Sequence, residues 1–244
     1  MRGEVPRLIV FDKDGTLIRF EEMWHTWFDA LMAAIASQVP LDAATREGLA
    51  GTMGYDGATG DWDPMGPLTI ASTSEVVLLM ASQLYRYQNK SWDEALTIVR
   101  AAERIARSTL SEEELVKPIG DVRGTLRRLR ARGILLGLAT TDDRVATERA
   151  LLKLNISCLF AATVCGDDGF PLKPAPDMAV EICRRLGIDP GEAAMVGDTV
   201  ADLTMARQAG YGWVIAVTSG PVSYDMLAPH ADLVLPDIHA IEVE

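Results

Sequence analysis

Two aspartates at the end of an apolar stretch are the residues whose type and spacing point most directly to chemistry. The segment Leu8–Leu17, LIVFDKDGTL, opens with four apolar residues and then places Asp12 and Asp14 two positions apart before Gly15. A short apolar run that ends at a turn glycine predicts a buried strand leading into a loop. Two carboxylates at the end of a buried strand are energetically costly unless a cation meets them. We therefore interpret one aspartate as a nucleophile and expect a divalent cation beside the pair.

The spacing of these acidic residues excludes a calcium-binding loop of the EF-hand type. That loop needs acidic ligands at positions 1, 3 and 5 with glycine at position 6. Here Gly15 directly follows the second aspartate, Asp14. The spacing therefore does not fit a structural calcium site of this type.

The composition indicates a globular protein with an acidic surface. The 244 residues are 48% hydrophobic and 24% charged, and the formal net charge of −12 gives a pI of about 4.7. Nucleic acids and anionic membranes require a basic patch, so neither is an expected partner. An anionic substrate would need local positive charge from a metal ion, from lysine or from helix N-termini. The longest apolar runs are far too short for a membrane span.

The cysteines and the N-terminus favour a cytoplasmic protein. Cys158, Cys165 and Cys183 form no CxxC pair, and we expect free, mostly buried thiols in a reducing cytosol. The first ten residues contain no long apolar segment of the kind found in signal peptides.

The part of the chain that follows Leu17 predicts helices only, up to Val116. In the first helix Trp27 lies on the apolar stripe and should be buried, whereas His25 lies off it and is expected at the surface. The glycine-rich segment Gly54–Pro67 predicts a loop, as a connector or as a pocket rim. Apolar residues at helical spacing define the predicted helices Glu21–Ser37, Asp42–Met53, Ser72–Tyr87 and Trp92–Ser108.

From Pro118 onward, predicted strands alternate with predicted helices. This alternation predicts a parallel sheet covered by helices on both faces, and hence an α/β fold. The predicted strands, beginning with the one before Asp12, are Leu8–Phe11, Ile134–Ala139, Ala161–Cys165, Ala193–Val196, Trp213–Val217 and Leu233–Leu235. The predicted helices are Asp121–Arg132, Arg144–Leu154, Asp177–Leu186 and Ala201–Ala209.

Polar residues gather at the carboxyl ends of four of these strands, where open α/β sheets bind their ligands. Taken singly, each has an ordinary explanation, such as a helix cap or a solvated surface side chain. Their joint placement at one edge of the sheet makes those explanations improbable. The residues are Asp12 and Asp14, Thr140, Lys173, and Asp198 with Asp202.

Four motifs in this order resemble the haloacid dehalogenase superfamily of aspartate-nucleophile phosphohydrolases. They are FDKDGTL at 11–17, LATT at 138–141, KPAPD at 173–177 and GDTVAD at 197–202. The local sequences CGDDGFPLKPAPD and AGYGWVIAVTSG are similar to those of phosphoglycolate phosphatases. The resemblance implies a Rossmann-like catalytic core, residues 1–18 and 116–244, with an all-helical cap domain, residues 19–115, inserted after the first motif.

The resemblance also implies a division of labour between the two aspartates of the first motif. Asp12, ionised at neutral pH because an ordinary aspartate has a pKa of roughly 3.9, would attack phosphorus. Asp14 would protonate the leaving alkoxide and then activate the hydrolytic water. A Mg²⁺ ion would be held by Asp12, by the backbone carbonyl of Asp14 and by Asp198.

The remaining motif residues would serve the phosphoryl group. Lys173 would supply positive charge, and Asp202 would anchor Lys173 or a metal-bound water. The hydroxyl of Thr140 would hydrogen-bond a phosphoryl oxygen, and the turn at Gly15 would let loop amides approach it. The expected phosphate-binding set is Gly15, Thr16, Thr140, Thr141 and Lys173.

Three positions depart from the family pattern. Lys13 stands where relatives often carry an apolar residue, and we expect it to point away from the acidic cluster rather than balance it. Thr141 replaces a frequent asparagine, which puts a supporting hydrogen bond in doubt. Arg19 replaces a frequent aspartate, and either favours an anionic leaving group or lies exposed in a linker.

These features predict a Mg²⁺-dependent phosphatase for a small phosphorylated metabolite such as 2-phosphoglycolate, monomeric or homodimeric. Three alternatives stay open. A 2-haloacid dehalogenase needs no second aspartate, a sugar phosphomutase needs a longer-lived aspartyl-phosphate, and a non-catalytic phosphate-binding module would dispense with Asp12 or Lys173.

Overall fold

The computed structural model describes residues 5–57, 59–111 and 115–242, apart from the side chains of residues 21 and 22. The chain divides into two compact units. One combines the residues up to Glu21 with those from Val116 onward, and the other comprises Glu22–Leu115. The assignment of residues 1–18 and 116–244 to a catalytic core and of 19–115 to a cap stays a prediction.

The first unit is built on a parallel sheet of six strands in the order β3-β2-β1-β4-β5-β6. Every residue of β1 and of β4 is buried. Because neighbouring side chains of a strand point to opposite faces, both faces of the sheet must be covered. The predicted α/β fold is thus confirmed. The strands are β1 (Leu8–Phe11), β2 (Leu135–Ala139), β3 (Ala162–Val164), β4 (Ala193–Gly197), β5 (Trp213–Val217) and β6 (Leu233–Leu235).

The helices follow the predicted pattern, with two short additions. Pro67–Ile70 and Tyr224–Leu227 were not predicted, because four residues are too few to show a helical period. The described helices are α1 (Phe20–Gln38), α2 (Ala43–Thr52), α3 (Pro67–Ile70), α4 (Thr73–Tyr87), α5 (Trp92–Thr109), α6 (Val122–Ala131), α7 (Arg144–Lys153), α8 (Asp177–Leu186), α9 (Val200–Ala209) and α10 (Tyr224–Leu227). None of them is both long and apolar enough to cross a membrane.

Local capping chemistry sets many of these helix boundaries. Ser72 begins α4 with a capping box, in which its side chain and that of Glu75 each accept from the other's backbone amide. At the other end, Gly187 closes α8 and Gly210 closes α9, with φ of +65° and +80°. These are left-handed conformations that glycine adopts without strain. The stops predicted at both glycines are confirmed.

The second unit is an all-helical bundle with its own apolar core. Trp27 is buried there, as predicted, and packs with residues of α2, α4 and α5. The expectation of a surface His25 is wrong. Its Nε2 accepts a hydrogen bond of 2.5 Å from the indole of Trp62, and its ring packs edge-on against Tyr55. The loop after α2 supplies both aromatic partners, so only tertiary contact gives His25 its place.

The three cysteines are free, with Cys165 and Cys183 buried and Cys158 exposed. Burial raises the pKa of the Cys165 thiol to about 11, which keeps it protonated and unreactive at neutral pH. The prediction of free, mostly buried thiols is confirmed.

The strand order brings the carboxyl ends of β1 and β4 together at the point where the direction of winding reverses. From β1 the chain proceeds outward through β2 to β3, and then returns to the other side of β1 with β4. Such a switch point leaves a crevice beyond the strand ends, which is where open α/β sheets bind ligands. Asp12 follows β1 and Asp198 follows β4, so both flank this crevice.

Gly137 in β2 offers a test of how tightly the sheet is packed. A β-carbon at Gly137 would lie 2.9 Å from Ile182 Cγ2 and 3.1 Å from Val10 Cγ2, both in the core. We expect Gly137→Ala to lower the free energy of unfolding by about 1–3 kcal/mol through overpacking. Chemical denaturation would measure the change.

Gly51→Ala is the matched control for that substitution. Gly51 lies in α2 with no atom within 4 Å of its added β-carbon. Here alanine should stabilise by up to about 1 kcal/mol, because its helix propensity is higher. Equal destabilisation of the two variants would contradict the packing interpretation.

Candidate active site

The turn after β1 fixes both aspartates of the first motif. The amide of Asp12 donates to the Val196 carbonyl at 2.9 Å, so pairing with β4 continues one residue past the strand. The chain then reverses, with the amides of Leu17 and Ile18 both donating to the Lys13 carbonyl. Gly15 sits in this turn at φ +82°, and its own amide donates to the Ile18 carbonyl. Gly15 therefore supplies the left-handed backbone conformation that this turn requires.

Lys173 joins the loop after β3 to the ends of β1 and β4. Its Nζ donates to Asp12 Oδ1 at 2.5 Å and to Asp202 Oδ1 at 2.6 Å, and its side chain is only 4% exposed. Burial by itself lowers the pKa of Lys173, but the two carboxylates raise it more, so the ammonium stays charged. A buried cation thus neutralises part of the acidic cluster.

Asp202 has two structural tasks. Its Oδ2 accepts from the hydroxyl and amide of Thr199 at 2.6 and 3.1 Å, which caps α9, while Oδ1 accepts from Lys173. Both oxygens are therefore engaged by protein groups. The predicted anchoring of Lys173 agrees with these distances.

Asp198 differs from Asp202 because only one of its two carboxylate oxygens is hydrogen-bonded to a described residue. Its Oδ1 accepts from Thr16 Oγ1 at 3.0 Å, but Oδ2 is buried and has no hydrogen-bond partner among the residues that the structure describes. A β-carbon on Gly15 or on Gly220 would lie 2.2 or 1.9 Å from this oxygen, so only glycine is tolerated at either position. Burial raises the pKa of Asp198 well above its ordinary value. An unpartnered buried carboxylate oxygen calls for a cation or a proton.

The donor set fits a hard divalent cation. Asp12, Asp198 and Asp202 each offer one carboxylate oxygen, and these oxygens lie within 4.8 Å of one another. Carboxylate oxygens are the ligands that Mg²⁺ prefers in proteins. Of these, Oδ2 of Asp198 is the atom that most requires a cation, whereas both oxygens of Asp202 already accept hydrogen bonds.

Without such a cation, burial raises the pKa of Asp12 from 3.8 to about 7, even though Lys173 opposes the rise. Burial also raises the pKa of Asp14, because its effect outweighs that of the adjacent Lys13. The pKa of Asp12 is therefore not the ordinary value on which its expected ionisation at neutral pH was based. A nearby divalent cation would favour the charged form of this carboxylate.

The threonines of the motifs lie near the same strand ends but do different work. Thr140 follows β2, is 2% exposed, and its Oγ1 accepts from the Asp142 amide at 3.2 Å. Thr16 is fully buried with its hydroxyl on Asp198. Thr141 is half-buried. Among the described residues, no hydrogen bond joins Thr140 or Thr141 to Asp12, Asp14 or Lys173, so their phosphate-binding roles stay predictions.

The expectation that Lys13 points away from the acidic cluster is wrong. Its side chain is 2% exposed, and Nζ lies 2.6 Å from Asp14 Oδ1 and 3.2 Å from Asp142 Oδ2. Arg19, by contrast, is exposed. The prediction for Lys13 failed because Asp142 belongs to another strand end, and nothing local to the first motif shows that it comes close.

The loop after β5 also reaches the site, which the motifs did not indicate. Ser219 Oγ donates to the Gly15 carbonyl at 2.7 Å, and Gly220 packs against Asp198. Two signals were available: this loop follows the strand that neighbours β4, and the segment AGYGWVIAVTSG, noted above for its resemblance, ends in Ser219 and Gly220. Neither signal gives these two residues a specific role.

The haloacid dehalogenase-like hydrolase family profile matches residues 6–210, which span all four motifs. This match covers most of the chain, and the chain belongs to that family. The carboxylates and lysines of the site described above all lie within the matched residues, whereas β5, β6 and the loop after β5 lie beyond them.

Individual relatives agree over part of their length. A glyceraldehyde 3-phosphate phosphatase of Methanopyrus kandleri is 34% identical over 123 residues, which are 50% of this chain and 52% of the relative. A phosphoglycolate phosphatase of Salmonella typhi is 32% identical over 130 residues, 46% of this chain and 52% of the relative. The chain thus spans about half the length of these curated relatives.

One solved structure resembles the whole chain. A crystal structure of a predicted phosphoglycolate phosphatase from Haemophilus somnus superposes with a TM-score of 0.72 and covers 95% of this chain and 94% of its own. At 17% identity, that likeness concerns the fold alone.

The unpartnered oxygen of Asp198 leads to a prediction about Mg²⁺ and stability. We expect millimolar Mg²⁺ to raise the melting temperature of the protein, because a ligand that binds only the folded state stabilises it by about 2.7 kcal/mol at a hundredfold excess over its Kd. In Asp198→Asn the added Mg²⁺ should give little or no increase. Differential scanning calorimetry with and without Mg²⁺ would show both.

Asp225→Asn, an exposed substitution in the first turn of α10, is the control for the loss of one carboxylate. It should keep the full response to Mg²⁺. An Asp198→Asn protein that Mg²⁺ stabilises as strongly as the unmodified chain would show that the ion binds elsewhere.

Proposed function

We propose that the protein is a Mg²⁺-dependent phosphatase that hydrolyses a small phosphorylated metabolite through an aspartyl-phosphate on Asp12. The observation that carries this proposal is the buried Lys173 bridge between Asp12 and Asp202, beside an Asp198 oxygen without a partner. Membership of the hydrolase family and the phosphatase names of two relatives support it.

We assign the role of nucleophile to Asp12. Lys173 holds Oδ1, which leaves Oδ2 to attack phosphorus in line with the departing oxygen. The new Oδ2–P bond forms as the P–O bond to the leaving group breaks, which gives an aspartyl-phosphate and an alkoxide. The fixed ammonium of Lys173 offsets the charge of the attacking carboxylate and of the phosphoryl oxygens.

We assign both proton transfers to Asp14. In the first half it gives a proton to the leaving alkoxide, and in the second half its carboxylate takes a proton from the water that attacks phosphorus. The second attack frees inorganic phosphate and regenerates Asp12. When bound, Mg²⁺ supplies charge neutralisation between the carboxylates and the phosphoryl oxygens, held by Asp12, Asp198 and the Asp14 carbonyl.

Phosphate release from p-nitrophenyl phosphate tests this proposal. We expect turnover with Mg²⁺ and its loss after EDTA, and we expect Asp12→Asn to reduce kcat by at least about 10³-fold, because no nucleophile remains. Asp225→Asn should retain full activity, and circular dichroism would show that Asp12→Asn is folded.

Each failure of that assay has its own meaning. Turnover that survives EDTA would overturn the metal dependence and favour the chemistry of a dehalogenase. Near-normal activity of Asp12→Asn would overturn the nucleophile. No phosphate release from any ester would favour a phosphate-binding module.

We further propose that residues 19–115 act as a cap domain that selects the substrate. All four motifs lie outside this helical unit, so they point to the reaction and leave the choice of substrate to other residues. Assaying a panel of phosphorylated metabolites would identify the substrate class. The first two to assay are 2-phosphoglycolate and glyceraldehyde 3-phosphate, because two relatives are named as phosphatases of phosphoglycolate and of glyceraldehyde 3-phosphate.

The panel also separates a phosphatase from a phosphomutase. We expect at least one small phosphorylated metabolite to exceed p-nitrophenyl phosphate in kcat/KM by about tenfold or more, since binding of the leaving group contributes to the transition state. Nuclear magnetic resonance would detect the alternative outcome. If a sugar phosphate is isomerised without release of inorganic phosphate, the protein is a mutase.

A further inference from the structure

We propose that Lys13 and Asp142 position Asp14 for proton transfer to the leaving group, and that Lys13 is therefore a positioning residue of the reaction. This inference rests on the proposed phosphatase function. It assigns a role to two residues that the phosphoryl site itself leaves unexplained.

The geometry is a chain of three charged groups. Lys13 Nζ lies 2.6 Å from Asp14 Oδ1 and 3.2 Å from Asp142 Oδ2. The side chains are only 2%, 13% and 12% exposed, respectively. Within the part of the chain that the structure describes, Asp14 Oδ1 accepts from Lys13 and Asp14 Oδ2 has no hydrogen-bond partner.

Asp142 is itself held firmly, so it can serve as an anchor. Its Oδ1 accepts from the Asp143 amide at 2.8 Å, and its backbone carbonyl accepts from Gly166 at 2.9 Å. Its own amide donates to Thr140 Oγ1, so the anchor is tied to the end of β2. A lysine clamped between this anchor and Asp14 cannot swing away without breaking an ion pair.

Burial argues that this arrangement is not incidental. A fully buried ammonium is expensive unless carboxylates compensate it, and an exposed rotamer would be available to a lysine in a surface loop. The cation instead lies inside, directly beside the residue that must exchange protons.

The consequence is a division between the two oxygens of Asp14. Oδ1 is committed to Lys13, so Oδ2 is the atom that gives and takes the proton. Proton donation matters most when the leaving group is a poor one. An alkoxide needs a proton as the P–O bond breaks, whereas p-nitrophenolate leaves readily without one.

Lys13→Met tests the inference through its dependence on the leaving group. We expect kcat for an alkyl phosphate, the best metabolite of the panel or glycerol phosphate, to fall by about 10²-fold, because general acid catalysis contributes about 10²–10⁴-fold. We expect kcat for p-nitrophenyl phosphate to fall by no more than a few-fold. KM for both esters should change little.

Two further variants keep the test decisive. Asp142→Asn preserves an oxygen acceptor but removes the charge that holds Lys13, and should show the same selectivity at a smaller amplitude. It carries the test if Lys13→Met does not fold, as judged by circular dichroism. Lys153→Met, at the exposed end of α7, removes a lysine away from the motifs and should leave both rates unchanged.

The outcomes separate this inference from the function beneath it. An equal loss with both esters, or no loss with either, in a protein whose unmodified form is active would overturn the positioning role and leave the phosphatase intact. An unmodified protein that hydrolyses neither ester with Mg²⁺ would overturn the proposed function, and this inference with it.

Discussion

The buried ammonium of Lys173 is the interaction on which the rest of the site depends. It lies between Asp12 and Asp202, within 2.6 Å of an oxygen of each, and so permits two carboxylates to be buried side by side. Like charges at such a distance would otherwise force one group to take up a proton. Asp202 also caps α9 through Thr199, so the same contact ties the loop after β3 to the start of a helix.

Charge balance in the site remains incomplete after both lysines are counted. Among the described residues, the site gathers two ammonium groups, Lys13 and Lys173, against five carboxylates, those of Asp12, Asp14, Asp142, Asp198 and Asp202. Burial and the neighbouring carboxylates raise the pKa values of Asp12 and Asp198. In addition, Oδ2 of Asp198 has no hydrogen-bond partner among the described residues. A divalent cation would relieve both at once. The proposal of a metal site thus rests on electrostatics as much as on any motif.

The sequence predicted what depends on local patterns. Buried strands such as Leu8–Phe11, and helix ends such as Gly187 and Gly210, follow from apolar periodicity and from backbone conformations that favour glycine. It did not predict contacts made between distant segments. Lys13 meets a carboxylate that follows a different strand, and His25 meets an indole from a loop far along the chain. No periodicity carries that information.

The net charge of the protein and the local electric field at its strand ends are separate properties. The chain carries −12 overall, yet the side chains of Lys13 and Lys173 are buried and paired with carboxylates, where a charge acts through a less polarisable medium than water. Their partners divide the tasks. In the mechanism that we propose, Lys173 contacts the carboxylate that attacks, Asp12, and Lys13 contacts the carboxylate that transfers protons, Asp14. Two lysine ammonium groups thus differ in their proposed roles because they pair with different carboxylates. These carboxylates, Asp12 and Asp14, lie in a single turn.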